Sequence, residues 1–411
     1  MPADLAVLGL EQLGLPAAQA ATAAGVATVG FTPEHATATW LNAGRAPAGA
    51  ALSAAELRRM LATGFRATSD PAVLGRVRTA LICAPTPPGP GRAPDLGALR
   101  AVTETLAARL RPRTLVVVES AVHPGTTHDV VRPLLEYGSG LRAGRDFHLA
   151  CAPGRADPGG RAPGSAPRVI GGLTPACTEA AAAFYGRLTD KVVRAKGVAE
   201  AEAVKVLETN FRHVNTALVN EMAVLCHELG VDLWDVVRCA ETRPHGPAPF
   251  RPGPGVGGHA APMDPGGRLR LVGLAREVNE RMPRYVTERA AALLNEHGKS
   301  ARGARVLLLG VTHTPDVPDL PGDEGTPAHE IAALLMALGA QLTYHDPLVA
   351  RWRVAGRPVP RAVALYEAAA EADLTLLLQP HATYDLQGLA AKAPLLLDTR
   401  GATPAGAAHR L

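Results

Sequence analysis

The stretch of this sequence best suited to chemistry is PGPGVGGHAAPMDP, residues 252–265. Gly253, Gly255, Gly257 and Gly258 crowd together and lead into His259. Glycine has no Cβ, so such a run lets a backbone come close to a ligand. The next residue stands where a reactive side chain is expected, and it is Ala260, whose methyl group can neither attack nor exchange a proton. His259 is expected to be structural. The 14 histidines are scattered and none pairs at metal-ligand spacing, so no metal is predicted. Cys83, Cys151, Cys177, Cys226 and Cys239 show no CxxC spacing, which argues against zinc and against a disulfide framework. All five are expected to be buried small hydrophobes.

The elements that would carry such a loop are legible from apolar runs and their punctuation. LAVLGL (5–10) reads as a strand, LPAAQAATAAG (15–25) as a helix stopped by Gly25, and VATVGF (26–31) as a second strand, giving a βαβ unit. Buried strands are predicted at TALICAP (79–85), TLVVVES (114–120) and DFHLACAP (146–153), with helical patterns between them. Strands alternating with helices imply a parallel sheet covered by helices. Residues 199–230 read as one long helix ending at Gly230. A second α/β unit begins at ARVLLLGV (304–311), continues through PAHEIAALLMALG and QLTYHDP, and ends with ADLTLLLQP and APLLLDTRG. Proline and glycine cluster at 84–94, 152–167, 243–258 and 315–327, which read as surface or site-lining loops.

Composition sets the bounds. A chain of 411 residues exceeds the size of a single growing core, so two or three domains are expected. The longest apolar runs are too short to span a bilayer, which predicts no membrane segment. No basic leader precedes the first strand, so no signal peptide and a cytoplasmic location are expected. Net charge is +4 with the charges mixed along the chain, and aromatic residues are 4%, so neither a nucleic-acid footprint nor a base-stacking surface is predicted.

Taken in order, GLEQLGLP, PTP at 85–87, ESAVHPGTT at 119–127, APGRADPG at 152–159, VKVLETNFRHVNTALVNE at 204–221, the glycine-rich loop, and HDP followed by LLLDTRG resemble the nucleotide-sugar 6-dehydrogenases, the UDP-glucose/GDP-mannose dehydrogenase family. Within that family the motifs most resemble the branch of the UDP-N-acetylhexosamine and UDP-N-acetylmannosamine dehydrogenases. The resemblance spans essentially the whole chain. It implies an α/β fold of two Rossmann-like parallel-sheet domains joined by a long central helix and a helical middle domain. The expected divisions are 1–198 (NAD-binding type), 199–300 (central, dimerisation, with the glycine-rich substrate loop) and 301–411 (UDP-binding type). It also implies NAD as cofactor, a UDP- or GDP-linked sugar as ligand, and a homodimer. The family reaction is a four-electron oxidation of a sugar C6 alcohol to the acid, through an aldehyde captured by a cysteine as thiohemiacetal and then thioester.

Position by position, the resemblance implies losses at the reacting centre. The family's cysteine is Ala260, its water-holding threonine is Ala121, and its glutamate acid or base is Gly154. Lys205 and Asp264 are retained, the former as a candidate oxyanion donor, the latter as a partner for it or for a water. The family's asparagine after that lysine is Thr209, with Asn210 one place on, a shift of about 100° around the helix. On the cofactor side, the G-x-G-x-x-G fingerprint reads Gly9, Glu11, Gly14 at its glycine positions, the acid expected after the second strand is Thr32, and Pro85 and Thr86 stand in the PTP turn. Like charges about 4 Å apart repel by about 4 kcal/mol at an effective dielectric of about 20, so Glu11 is expected to weaken or abolish NAD binding. Thr32 leaves NADP open. Substrate-side positions are Asn210, Phe250, Gly253, Gly255, Gly257, Gly258 and His259. Two cationic family positions near the ligands hold Thr314 and Pro321, and Arg212, Arg243 and Arg251 are candidates to meet a diphosphate or a partner subunit. The expectation is therefore a relative that has lost the four-electron reaction and binds a nucleotide sugar or regulates an active paralogue. The alternative is an active NAD(P)-dependent oxidoreductase that converts C6 alcohol and aldehyde in one two-electron step.

Overall fold

The computed structural model describes residues 3–11, 13–45, 52–87, 89, 94–154, 167–242, 250–256, 263–264, 267–317 and 326–411. The chain divides into two compact units, Met1–Glu208 and Thr209–Leu411.

In the first unit, eight strands form one sheet: β1 Leu5–Leu8, β2 Thr28–Phe31, β3 Arg66–Thr68, β4 Thr79–Ile82, β5 Leu115–Val118, β6 His148–Cys151, β7 Arg168–Gly172 and β8 Val192–Arg194. The order is β3-β2-β1-β4-β5-β6-β7-β8. Its first six strands follow the 3-2-1-4-5-6 order of dinucleotide-binding folds. All pairings are parallel except β6 with β7. Why the central strands are continuous apolar runs is clear from what covers them. Leu5, Val7, Leu81, Cys83, Leu115 and Val117 enter one core cluster, while Ala6, Leu8, Ala80, Ile82, Val116 and Val118 enter another. Side chains alternate across a strand, so a sheet buried on both faces needs apolar residues at every position.

The predicted βαβ unit is present, with helix Gly14–Ala23 between β1 and β2, and Gly25 past its end at φ +73°. The strand order reverses between β1 and β4, which opens a crevice at the carboxyl ends of these strands.

The second unit holds β9 Arg305–Leu309, β10 Gln341–His345, β11 Trp352–Val354, β12 Arg357–Val359, β13 Leu374–Leu377, β14 Leu396–Asp398 and β15 His409–Arg410. Five of them make a parallel sheet in the order β10-β9-β13-β14-β15, and β11 and β12 pair as an antiparallel hairpin. Val306 and Leu308 face one core, Leu307 and Leu309 the other. The long helix expected from the sequence runs over Val198–Glu228. Two further helices, Leu233–Glu241 and Arg270–Glu296, were not predicted; the latter accommodates Pro283 in its interior.

Four cysteines are buried as expected, but Cys239 is exposed. It lies on the solvent side of Leu233–Glu241, a helix whose one buried residue is Leu233. Among the described residues no helix is long and apolar enough to cross a membrane.

Candidate functional site

The crevice of the first unit is built from strand ends. Gly9 follows β1 at φ +92°, and a Cβ there would stand 2.9 Å from the Cys83 carbonyl carbon and oxygen at the end of β4. A Cβ on Gly14 would lie 1.7 Å from the Gly9 carbonyl oxygen. Both positions therefore require glycine, and together they give the tight strand-turn-helix that a dinucleotide pyrophosphate needs. Glu11 stands exposed between them. Partial desolvation pushes its carboxyl pKa up, and the neighbouring Glu34 carboxylate adds to the effect.

Thr32, at the end of β2, is buried, and its Oγ1 accepts from the Glu34 N–H at 3.4 Å. Pro85 and Thr86 follow β4, and the Thr86 hydroxyl donates to the Ala121 carbonyl at 2.7 Å. Gly9, Glu11, Thr32, Pro85, Thr86 and Ala121 thus all lie at carboxyl ends of strands. The backbone fits an NAD pyrophosphate at the two glycines, while the charge of Glu11 opposes it.

Gly154 follows β6 and donates its N–H to the Glu119 carbonyl at 2.7 Å. A Cβ there would meet that carbonyl oxygen at 3.0 Å and Leu13 Cδ2 at 3.0 Å. The chain has settled around a hydrogen atom at this position.

Under it lies a buried cluster that sequence reasoning missed. Arg168 Nη2 pairs with Glu119 Oε1 at 2.5 Å, and the Tyr185 hydroxyl donates to the same oxygen. The Arg168 guanidinium also stacks 5.0 Å from the centre of the Tyr185 ring. Burial works against the charge on Arg168, but Glu119 and Tyr185 outweigh it and hold its pKa above the usual value.

Lys205 is half-buried on helix Val198–Glu228, lining a small recess with Pro153, Arg168 and Glu208. One turn before it, Glu202 is fully buried and accepts the N–H groups of Gly125 and Thr127 at 2.6 and 2.7 Å. Its carboxyl pKa is pushed up by burial, against the pull of those bonds. The three-residue spacing from Lys205, which places both on one helix face, is a signal that could have found it. Cys151 is fully buried and its thiol pKa is raised, first by desolvation and then by Glu202, as suits a core cysteine.

In the second unit, Asn210 does not point idle: its amide donates to the Met263 carbonyl at 2.8 Å and accepts the Met263 N–H at 3.0 Å. Asp264 Oδ1 accepts from the N–H groups of Arg268 and Leu269 at 2.9 and 3.0 Å, which organises the approach to helix Arg270–Glu296. Gly253 donates its N–H to Asn220 Oδ1 at 2.9 Å, and Asn220 in turn donates to Asn279 Oδ1 at 2.8 Å. A Cβ on Gly253 would lie 2.9 Å from the Arg400 guanidinium. Burial lowers the pKa of Arg400 to about 10, with Asp398 opposing.

Gly255 has φ +130°, which L side chains rarely adopt. Phe250 packs edge-on against Phe211 with ring centres 5.9 Å apart. Thr209 is half-buried and Arg212 and Arg251 are exposed. Thr314 sits in the turn after β9, where its carbonyl accepts from the Thr312 hydroxyl. Gly257, Gly258, His259, Ala260, Arg243 and Pro321 lie outside the described residues.

Known proteins can now be set beside this geometry. Three domains of the UDP-glucose/GDP-mannose dehydrogenase family match in series: the NAD binding domain over residues 3–189, the central domain over 199–291 and the UDP binding domain over 307–405. The chain is 31% identical to the UDP-N-acetyl-D-mannosamine dehydrogenase of Pyrococcus horikoshii over 355 residues, 84% of either chain. It is 28% identical to the Escherichia coli enzyme of the same name over 93% of this chain and 94% of that one. Among solved structures, a UDP-D-ManNAc dehydrogenase from Pyrococcus horikoshii superposes with a TM-score of 0.82 at 26% identity, covering 98% of this chain and 97% of that one. The native UDP-N-acetyl-mannosamine dehydrogenase of Staphylococcus aureus gives 0.81 at 26% identity, covering 99% and 97%. The resemblance read from the motifs therefore holds along the whole length, and NAD is the cofactor of the fold's first domain. With strand order, glycine turn and domain series in agreement, this chain belongs to the UDP-glucose/GDP-mannose dehydrogenase family.

Proposed function

We propose that this member of the family has lost the four-electron oxidation and serves as a nucleotide-sugar-binding protein, or as a regulatory partner of an active relative. The observation that carries this reading is Gly154. Its N–H is bonded to the Glu119 carbonyl, the position assigned to the glutamate carries no carboxyl, and a side chain there fits only if Leu13 and the Glu119 carbonyl give by a few tenths of an ångström. Ala121 and Ala260 remove the water-holding hydroxyl and the nucleophile. Without a thiol at residue 260 the aldehyde cannot be captured as a thiohemiacetal, so the family's second hydride transfer lacks its hydride donor and no thioester forms.

The names of the relatives favour a UDP-N-acetylhexosamine as the ligand. In this reading residues 1–198, 199–300 and 301–411 are the cofactor, central and nucleotide-sugar parts. Lys205, Asp264, Asn210, Phe250 and the glycine-rich loop are the surviving site residues.

The test is a product assay with NAD and UDP-N-acetylmannosamine, UDP-N-acetylglucosamine and UDP-N-acetylgalactosamine, with a thermal-shift titration alongside. The expected outcome is stabilisation by a UDP-sugar, about 2.7 kcal/mol at a hundredfold excess over Kd, with no uronate formed. Ala260→Cys alone should also form none, and uronate from that single variant overturns the reading. The second reading, a two-electron oxidoreductase, is favoured by the retention of Lys205; it predicts one NADH per sugar and an aldehyde product.

A further inference from the structure

We propose that NAD binding to this chain is coupled to the uptake of one proton by Glu11. The inference rests on the family's NAD-binding domain and on the reading of Glu11 given above. Glu11 lies between Gly9 and Gly14, the two residues whose geometry shapes the pyrophosphate turn. A carboxylate there confronts the two negative charges of the pyrophosphate.

Charged partners could relieve the conflict, so each neighbouring element matters. From the turn after β2 the facing group is Glu34, which adds negative charge. The end of β4 contributes Cys83, a buried thiol held neutral by its raised pKa, then uncharged Ala84, Pro85 and Thr86. The start of the helix, Leu13 to Pro16, carries no charge. Among the described residues the influences on the Glu11 carboxyl are burial and Glu34, and neither offsets its charge. Protonation relieves the conflict: a neutral carboxylic acid loses the repulsion and gains an O–H that can donate to a phosphate oxygen. Partial desolvation and Glu34 raise the pKa of Glu11 in the free protein, which works in the same direction.

The sign follows from linkage. The bound-state pKa of Glu11 lies above the free-state one, so affinity is full below the free-state pKa, falls as pH rises, and levels off above the bound-state pKa. Between the two it changes about tenfold per pH unit.

The test is calorimetric titration of the full-length protein with NAD from pH 5 to 8.5, in two buffers of different ionisation enthalpy, on wild type, Glu11→Gln and Glu11→Gly. Adenosine, which lacks phosphate, serves as the control ligand. Expected are an affinity for NAD that falls by an order of magnitude or more across the range, uptake approaching one proton, a flat profile in both variants, and a flat profile for adenosine. A pH-independent wild type, a slope that persists in Glu11→Gln, or no NAD binding by wild type even at pH 5 overturns the proposal. The broader reading of Glu11 as an obstacle fails on a different result, namely Glu11→Gly binding NAD no tighter than wild type at pH 8.

Discussion

Gly14 has the tightest surroundings among the described glycines of the first unit. With a Cβ 1.7 Å from the Gly9 carbonyl oxygen, Gly14→Ala must move backbone and should destabilise this unit by about 3 kcal/mol or more, read from denaturant midpoints. Gly154→Ala meets its neighbours at 3.0 Å, part of it the end of the Leu13 side chain, and should cost only about 1 kcal/mol. Gly273, on the helix Arg270–Glu296 with nothing within 4 Å of a Cβ, should gain about 0.5–1 kcal/mol on change to alanine. The glycine turn was legible in the sequence because its spacing is local. The Glu119, Arg168 and Tyr185 cluster was not, because the partners lie 49 and 66 residues from Glu119 in sequence and no periodicity links them.

Elements carry a different kind of information. Strands β1, β4 and β5 were readable as unbroken apolar runs, since burial on both faces leaves no other pattern. The antiparallel joining of β7 to β6 was not readable, because register is a relation between strands. Nor was the job of Asn210, whose backbone partner Met263 is 53 residues away; a rotation about the helix axis says where a side chain leaves, not what it finds.

In the second unit, Asp346 ties the ends of three elements together. It is fully buried and accepts from His381 Nε2 at 3.0 Å and from the N–H groups of Val311 and Leu348 at 2.7 and 2.8 Å. Burial pushes its pKa up, but these bonds prevail and hold it below the ordinary value of 3.8. A lowered carboxylate pKa gives stability that is full above the unfolded-state value and lost as pH falls through the folded-state one. Asp346→Asn should therefore cost about 3 kcal/mol near neutrality, and the deficit should shrink only below about pH 4, as seen in urea melts across pH. In the first unit, Arg168→Met should cost about 3–5 kcal/mol by stranding the Glu119 carboxylate.

At the scale of the whole molecule, the second unit leaves Phe211, Leu218 and Leu225 exposed on the long helix, seven residues apart, and Leu229 just past its end, with Leu269, Leu271 and Leu274 also exposed. A helical stripe of that period is suited to a facing helix, and we expect a second copy of this chain to supply it. The expected outcome is a dimer in sedimentation equilibrium, converted to monomer by Leu218→Glu without loss of helical content; a wild-type monomer at micromolar concentration refutes it. On the proposed reading, Gly154 also sets which variants are worth making. A side chain at residue 154 asks the Leu13 side chain and the Glu119 carbonyl to give by a few tenths of an ångström, so Gly154→Glu joined with Ala260→Cys is the combination to assay for uronate, and either change alone is expected to form none.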